Sequence, residues 1–546
     1  MVTPTRDHIA PDGEGSFPSA LLGAQLSHLH RYFEVSCNAA PDAIALESGS
    51  EWLTYRQLDE SANQLAHLVA DRVRPGERVG ILLPRSTGMY VALLAVQKAG
   101  ATFVPIDAAA PAERVAYITE DAGLALLLSS SDFSTASQQA GCPVLELDTM
   151  AGELEHAPVE RPELTEEPDP SCYVIYTSGS SGRPKGVEVA QSSICNFIEV
   201  VRELYRVSPN DRVYQGMSLS FDFSIEEIWP TWAAGATVVA GPSDDRSLGD
   251  GLARFLTERD ITMLYCVPTV LASIQPGLPC IHTLVVGGEA CPAELVERWS
   301  RPGLRMLNTY GPTEATVTAT AAELEAGRPV TIGRPLPSYH VVLLNDELNP
   351  VPDGDVGEIC IGGPGVARGY VNRPDLTAER FLDYPRITGG GRLYRTGDLG
   401  RMQPDGEIAY LGRIDSEVKI RGRRVDLGEI DSLLLEDDAV AAAATALLPQ
   451  GELAAYVTRR GTHPAVSQPD DAELVTRLHQ GLCSRLPAYM VPTYLEVIDE
   501  LPLMASGKVD RPKLPTPTRG RLVTSDAPHV PPFTPLQRQI AAVWAD

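Results

Sequence analysis

The chain reads as an α/β protein with parallel sheets flanked by helices, followed by a smaller β-rich stretch and a compact mixed segment. Three observations predict this. Helical stretches such as residues 56–69 alternate with short apolar strands such as 78–83 and 124–128, the pattern of βαβ units. Between about 335 and 412 the texture changes to β-prone runs broken by Gly and Pro, at 341–344, 357–361 and 408–412. At 546 residues the chain is also too long for one hydrophobic core.

Taken in order, residues 1–24 are polar, rich in Pro, Gly and Ser, and read as a loose terminus. Residues 25–412 form the large unit, with the β-rich subdomain at about 335–412. A second compact unit spans 413–514, and 515–532 is a polar linker. Residues 533–546 look like the first helix of a domain that the sequence does not complete.

Composition narrows the function. Hydrophobic residues at 43% and charged residues at 21% are ordinary for a globular protein, so a sizeable core is expected rather than disorder. A formal charge of −27 opposes any binding that neutralises many DNA or RNA phosphates, though not the binding of one nucleotide in one loop. Nine cysteines stand singly with no C-x-x-C pair and no secretion signal, which reads as reduced thiols in a cytoplasmic protein. The longest nearly pure apolar run, 439–448, is about half of the ~20 residues a membrane-spanning helix needs. Ten dispersed histidines show no metal-ligand spacing.

The most informative stretch is Tyr-Thr-Ser-Gly-Ser-Ser-Gly-Arg-Pro-Lys-Gly at 176–186. Hydroxyls at Thr177, Ser178, Ser180 and Ser181, glycines at Gly179, Gly182 and Gly186, and the cation Lys185 suit a loop that wraps a polyanion. It is not a Walker loop, because a proline precedes the lysine and a glycine follows it. The apolar run at 172–176 puts the loop at the end of a strand, where α/β proteins place ligands.

Four further segments carry chemistry. In Asn308-Thr309-Tyr310-Gly311-Pro312-Thr313-Glu314, Tyr310 offers a flat surface for a base, and Thr313 with Glu314 offers two hard oxygen ligands. The competing reading is a Gly-Pro turn with Thr313 as a helix N-cap. Asp398, after a glycine turn, offers acceptors to a ribose diol. The charged run at 412–429 and the lysine of Ser506-Gly507-Lys508 complete the set; alone, each reads equally as a solvated hairpin and a surface lysine.

In this order and over residues 25–515, these segments closely resemble the adenylation domains of nonribosomal peptide synthetases, in the superfamily of acyl-CoA synthetases and luciferases. The stretches at 357–370 and 486–492 follow the family pattern too. Small departures are Ser181 for Thr, Glu417 for Gln and Ser506 for Asn. The resemblance implies a large N-terminal domain of two flanked, mostly parallel sheets, the β-rich subdomain, and a small, mobile α+β C-terminal domain. It also implies a two-step reaction. An amino acid carboxylate attacks the α-phosphate of Mg²⁺-bound ATP to give an aminoacyl-adenylate and pyrophosphate, and the acyl group then passes to a phosphopantetheine thiol on a carrier domain.

Roles follow from the same resemblance. The loop 177–185 would hold the β- and γ-phosphates, Glu314 would bind Mg²⁺, and Thr313 would contact the α-phosphate. Asn308 and Gly311 flank Tyr310, which would stack on adenine beside the backbone of Gly287, Gly288, Glu289 and Ala290. Asp398 and Arg413 would hold the ribose, Asp415 would be the hinge, and Lys508 would bridge the substrate carboxylate and the α-phosphate. Asp222, in Phe-Asp-Phe-Ser at 221–224, would bind the α-ammonium. Phe223, Glu226, Tyr265, Val285, Gly287, Thr309, Val317 and Thr318 would line the side-chain pocket.

Glu226 is the exception among largely apolar or small neighbours, and a second acid in a closed pocket is costly unless a cation meets it. This points to a basic diamino acid: lysine or β-lysine, ornithine or diaminobutyrate. Residues 287–292 and 308–320 are also similar to poly-ε-lysine-type synthetases. The alternative is that Glu226 faces away, toward Arg202 or Arg206. An acyl- or aryl-CoA ligase would have no α-ammonium and no need of Asp222; an adenylation domain for a neutral amino acid is the other alternative. A catalytically silent module on the same fold would not need Lys508, Glu314 and Asp398 together. The segment 532–546 resembles the start of the carrier domain and ends before any serine that could carry phosphopantetheine. A helper protein, the final product and the oligomeric state are not legible in the sequence.

Overall fold

The computed structural model describes residues 26–164, 168–179, 183–242, 244–385, 391–414, 417–420, 422–460, 471–502, 509 and 511–522. The expectations for 1–24, Ser180, Ser181, Gly182, Asp415, Lys508 and 533–546 therefore lie outside the described residues. Two compact units emerge, one of residues 1–177, 184–415 and 421–424, the other of 178–183, 416–420 and 425–546.

Two sheets dominate the first unit. In one, the strands Arg305–Tyr310, Thr283–Gly287, Met263–Cys266, Arg212–Gln215, Thr237–Ala240 and Ile44–Ser48 run parallel side by side. Antiparallel edge strands close it, Thr320–Glu323 and Arg334–Pro335 on one side and Glu51–Thr54 on the other. The second sheet holds Ser171–Thr177, Thr102–Pro105, Arg78–Ile81, Leu126–Ser129 and Val144–Glu146 in parallel. Inner strands such as Thr102–Pro105, Leu126–Ser129, Thr237–Ala240 and Met263–Cys266 are buried along their whole length, as expected where helices cover both faces.

Local sequence explains the element limits. Thr54 and Gln57 form a reciprocal capping box, so the helix expected at 56–69 runs Tyr55–Ala70. The strand expected at 78–83 stops at Ile81, just before Pro84, which has no N–H to give a ladder. The strand expected from 124 starts at Leu126, because Gly123 ends the preceding helix at φ +61° and the chain has first to turn. Helix Thr87–Lys98 is buried on nearly every side, and Lys98 is tolerated there because Nζ donates to Asp59 (2.6 Å), Asn63 (2.8 Å) and Glu34 (3.0 Å).

The β-rich region expected at about 335–412 is an antiparallel sheet of His340–Leu344, Val356–Gly362, Arg392–Met402, Phe381–Asp383 and Ile408–Arg413. In the second unit, Leu453–Arg459 pairs antiparallel with Val440–Leu447 and parallel with Tyr494–Val497. Helices Leu427–Leu435 and Asp471–Arg485 share a core with these strands through Ile430, Leu434, Leu474, Leu478 and Leu495. The alanine-rich run at 439–448 thus becomes a strand, its pairing partners overriding alanine's preference for helix. Among the described residues, no helix is long and apolar enough to cross a membrane.

Candidate active site

The residues expected at the substrate end are built on helix Phe223–Ala233, whose residues from 223 to 232 are all buried. Asp222 occupies the N-cap position but makes no capping bond with its side chain. Glu226 lies one turn further on and is fully buried. Tyr205 donates its hydroxyl to Glu226 Oε1 at 2.8 Å, and Thr318 donates to the same oxygen. The other oxygen, Oε2, is buried without a hydrogen-bond partner. Burial pushes the Glu226 carboxyl up to about 8; the two hydroxyls pull it down, and the charges of Asp222 and Glu227 add to the rise. The alternative of an ion pair with Arg202 or Arg206 is overturned, since Tyr205, between them in the chain, is the partner.

Neighbouring strands carry the other residues expected to line the side-chain pocket, toward the carboxyl edge of the parallel sheet where α/β folds place ligands. Tyr265 and Val285 are cross-strand partners, as are Gly287 and Thr309. Phe223 packs edge-on to Tyr265, with centroids 6.4 Å apart. A Cβ on Gly287 would lie 2.6 Å from Thr309 Oγ1 and 3.4 Å from the Phe223 ring, so glycine is what lets these three meet. Thr316 and Val317 both take positive φ, +57° and +70°, and the Thr318 N–H donates to the Thr316 carbonyl at 2.9 Å. This is a γ-turn with a β-branched residue at its centre, a strained arrangement of the kind that clusters at ligand sites. It delivers Thr318 to Glu226.

Among the residues expected at the nucleotide end, Glu314 is also fully buried, but in different company. Lys185 Nζ lies 3.7 Å away, Arg424 approaches at 3.3 Å, and Tyr370 donates its hydroxyl at 2.7 Å. Burial pushes this carboxyl up, yet Arg424 and then Lys185 outweigh it and hold it at about 2. Thr313 opens the short 3₁₀ turn Thr313–Ala315 with Pro312 in the cap position, so Thr313 is not an N-cap. Gly311 is required, because a Cβ there would meet the Val317 carbonyl oxygen at 2.4 Å.

Asp398 and Arg413 face each other across two antiparallel strands, joined at 2.7 Å. Tyr310 donates its hydroxyl to the other Asp398 oxygen at 2.6 Å, which ties the expected adenine and ribose contacts into one group. Asn308 donates its side-chain amide to the Thr331 carbonyl at 2.7 Å and so braces its strand. Glu289 accepts from the Thr269 backbone N–H and hydroxyl at 3.1 and 2.6 Å, fastening the turn at Gly288, where φ is +78°. At the head of the phosphate loop, Thr177 Oγ1 is buried with no partner, a donor in want of an acceptor. The strand after the loop, Lys185–Ala190, returns antiparallel to Ser171–Thr177. In the other unit, Ser178 Oγ accepts the Asp426 N–H at 2.9 Å.

Three contributors escaped sequence reasoning. Tyr370 and Arg424 stood inside quoted motifs without a role, and Tyr205 sits on a helix that carries no motif at all.

The family described as AMP-binding enzyme matches residues 33–371. This chain belongs to that family. Bacitracin synthase 3 of Bacillus licheniformis is 39% identical over 94% of this chain, and Delta-poly-L-ornithine synthetase of Acinetobacter baumannii (strain AB307-0294) is 39% identical over 88%. The chain spans only 8% and 36% of those two proteins. Among solved structures, NpsA-ThdA, an artificially fused adenylation–PCP di-domain from Klebsiella oxytoca, superposes with a TM-score of 0.73 at 27% identity, covering 87% of this chain and 94% of that one. This AMP-binding enzyme is thus similar to segments of two large synthetases and to an adenylation–PCP di-domain.

Proposed function

We propose that this adenylation domain activates a basic diamino acid (lysine, β-lysine, ornithine or diaminobutyrate) as its aminoacyl-adenylate and passes it to the phosphopantetheine thiol of a carrier domain. One observation carries the substrate class: Glu226 is fully buried, receives only two hydroxyls, and keeps one oxygen unpartnered. A buried carboxyl so placed is completed by a cation that arrives with the substrate. The relative named as a poly-L-ornithine synthetase supports the same class.

The chemistry needs positioning and charge cancellation more than covalent help, because the substrates bring both nucleophile and leaving group. Asp222 receives the α-ammonium and Glu226 the side-chain ammonium, which leaves the carboxylate as the free end of the substrate. Tyr310, Asp398 and Arg413 hold the nucleoside. Thr177 offers its orphan hydroxyl to phosphate, and Lys185 and Arg424 bring positive charge beside it. Glu314, ionised and buried, suits Mg²⁺, which takes one or two carboxylates together with phosphate oxygens and water. When bound, Mg²⁺ neutralises developing phosphate charge. Lys508 bridges the two anions as they meet.

ATP–pyrophosphate exchange over a panel of amino acids tests the reading. Diamino acids should give the highest kcat/KM, and exchange confined to neutral amino acids would refute the substrate class. Lys508→Ala should lower exchange by ~10²-fold or more while transfer from preformed adenylate survives. Exchange near the wild-type rate would remove Lys508 from its role.

A further inference from the structure

Glu226 is surrounded by more polar atoms than its two hydrogen bonds account for. The hydroxyls of Tyr265 and Tyr339 are both buried and have no hydrogen-bond partner. Together with Glu226 Oε2 they make three unsatisfied oxygens, an arrangement that native interiors avoid unless something else fills it.

Chains of contacts run from both tyrosines to the neighbours of Glu226. Tyr265 stands edge-on to Tyr205 at 5.3 Å between centroids, and Tyr205 is the residue that donates to Glu226. Tyr339 arrives from the other side. Leu336 donates its N–H to the carbonyl of Ala319, the residue after Thr318, and Tyr339 N–H in turn bonds the Leu336 carbonyl. The hydroxyl of Tyr339 rests against Gly365, where a Cβ would lie only 2.0 Å from it. The Gly365 carbonyl accepts the Thr316 hydroxyl at 2.6 Å, at the base of the γ-turn that carries Thr318 to Glu226. Burial first, and then the charge of Glu226, raises both phenols above their ordinary value, so they stand as neutral hydroxyls.

We propose that Tyr339, with Tyr265 and Glu226, forms a three-acceptor seat for a primary ammonium at the end of the substrate side chain. This rests on the diamino acid reading and sharpens it. A primary ammonium carries three N–H donors and no acceptor, and the seat offers three oxygens. A guanidinium is planar with five donors in a fixed fork, which three oxygens around one point do not match. Tyr339 is therefore a specificity-determining residue outside the pocket positions that the sequence supplies.

The test is Tyr339→Phe and Tyr265→Phe, each purified and assayed by ATP–pyrophosphate exchange with ornithine, lysine and arginine. Wild-type enzyme should favour the better of ornithine and lysine over arginine at least ~10-fold in kcat/KM. Each Phe variant should raise the KM for the ammonium substrate ~10-fold, with kcat and the KM for ATP unchanged, which a variant that merely folds poorly would not do. The loss should be larger for the ammonium substrate than for arginine, so the preference narrows. If wild type activates a diamino acid and Tyr339→Phe leaves its KM unaltered, the seat is refuted while the diamino acid reading stands. Should wild type activate no diamino acid, that underlying reading fails first.

Discussion

Glu314 and Glu226 are both wholly buried glutamates of the same unit, yet one is held at about 2 and the other at about 8. The difference lies in what each meets. Glu314 has a lysine and an arginine beside it, so its charge is already compensated by the protein. Glu226 has only hydroxyls beside it, so nothing in the protein offsets its charge and it stays protonated up to about pH 8. Burial sets the same penalty on both, and the partners decide the outcome. On the proposed function, the nucleotide end carries its own compensating charge, whereas the substrate end is completed by the amino acid.

Breaking the contrast at its stronger pole should have the largest effect. Glu314→Gln should lower exchange by ~10²–10³-fold for every amino acid alike, because it strips charge from the centre where phosphate charge is managed. An effect that differed between substrates would contradict the division of labour. Glu226→Gln should raise the KM for the diamino acid by ~10²-fold, in line with losing one partner of a buried ion pair, and leave the KM for ATP in place. A diamino acid KM equal to wild type would show that Glu226 does not meet the substrate.

A smaller effect sharpens the comparison through pH. Glu226 has to ionise to receive a cation, so affinity for the diamino acid should rise close to tenfold per pH unit up to about 8 and then level off. Glu226→Gln should flatten this rise. The folded-state value lies above the ordinary 4.5, so the group's contribution to the free protein's stability is present below that value and is lost as pH climbs through about 8. Saturating diamino acid should recover it, and the Tm difference between free and bound protein should widen from pH 6 to 8. A constant difference would contradict the assignment.

Much of the nucleotide end was legible in the chain because its residues come in short runs. Tyr310, Thr313 and Glu314 lie within five residues of one another, and Asp398 and Arg413 sit on two strands joined by a tight connection. Turn chemistry was less legible: Thr313 is a plausible cap by type, but Pro312 takes that position. The element ends at 81 and 126 shifted because Pro84 and Gly123 act on the backbone more sharply than hydrophobic patterning shows.

The family, the α/β layering and the identity of the two acids at 222 and 226 were all readable from the chain, since each depends on residue types at close spacing. What Glu226 faces was not, and the folded arrangement alone answers it. Tyr205 reaches it from 21 residues away and Thr318 from 92. Such a neighbourhood has no local signature, because each member is an ordinary core residue until the sheet and its helices close around the same point.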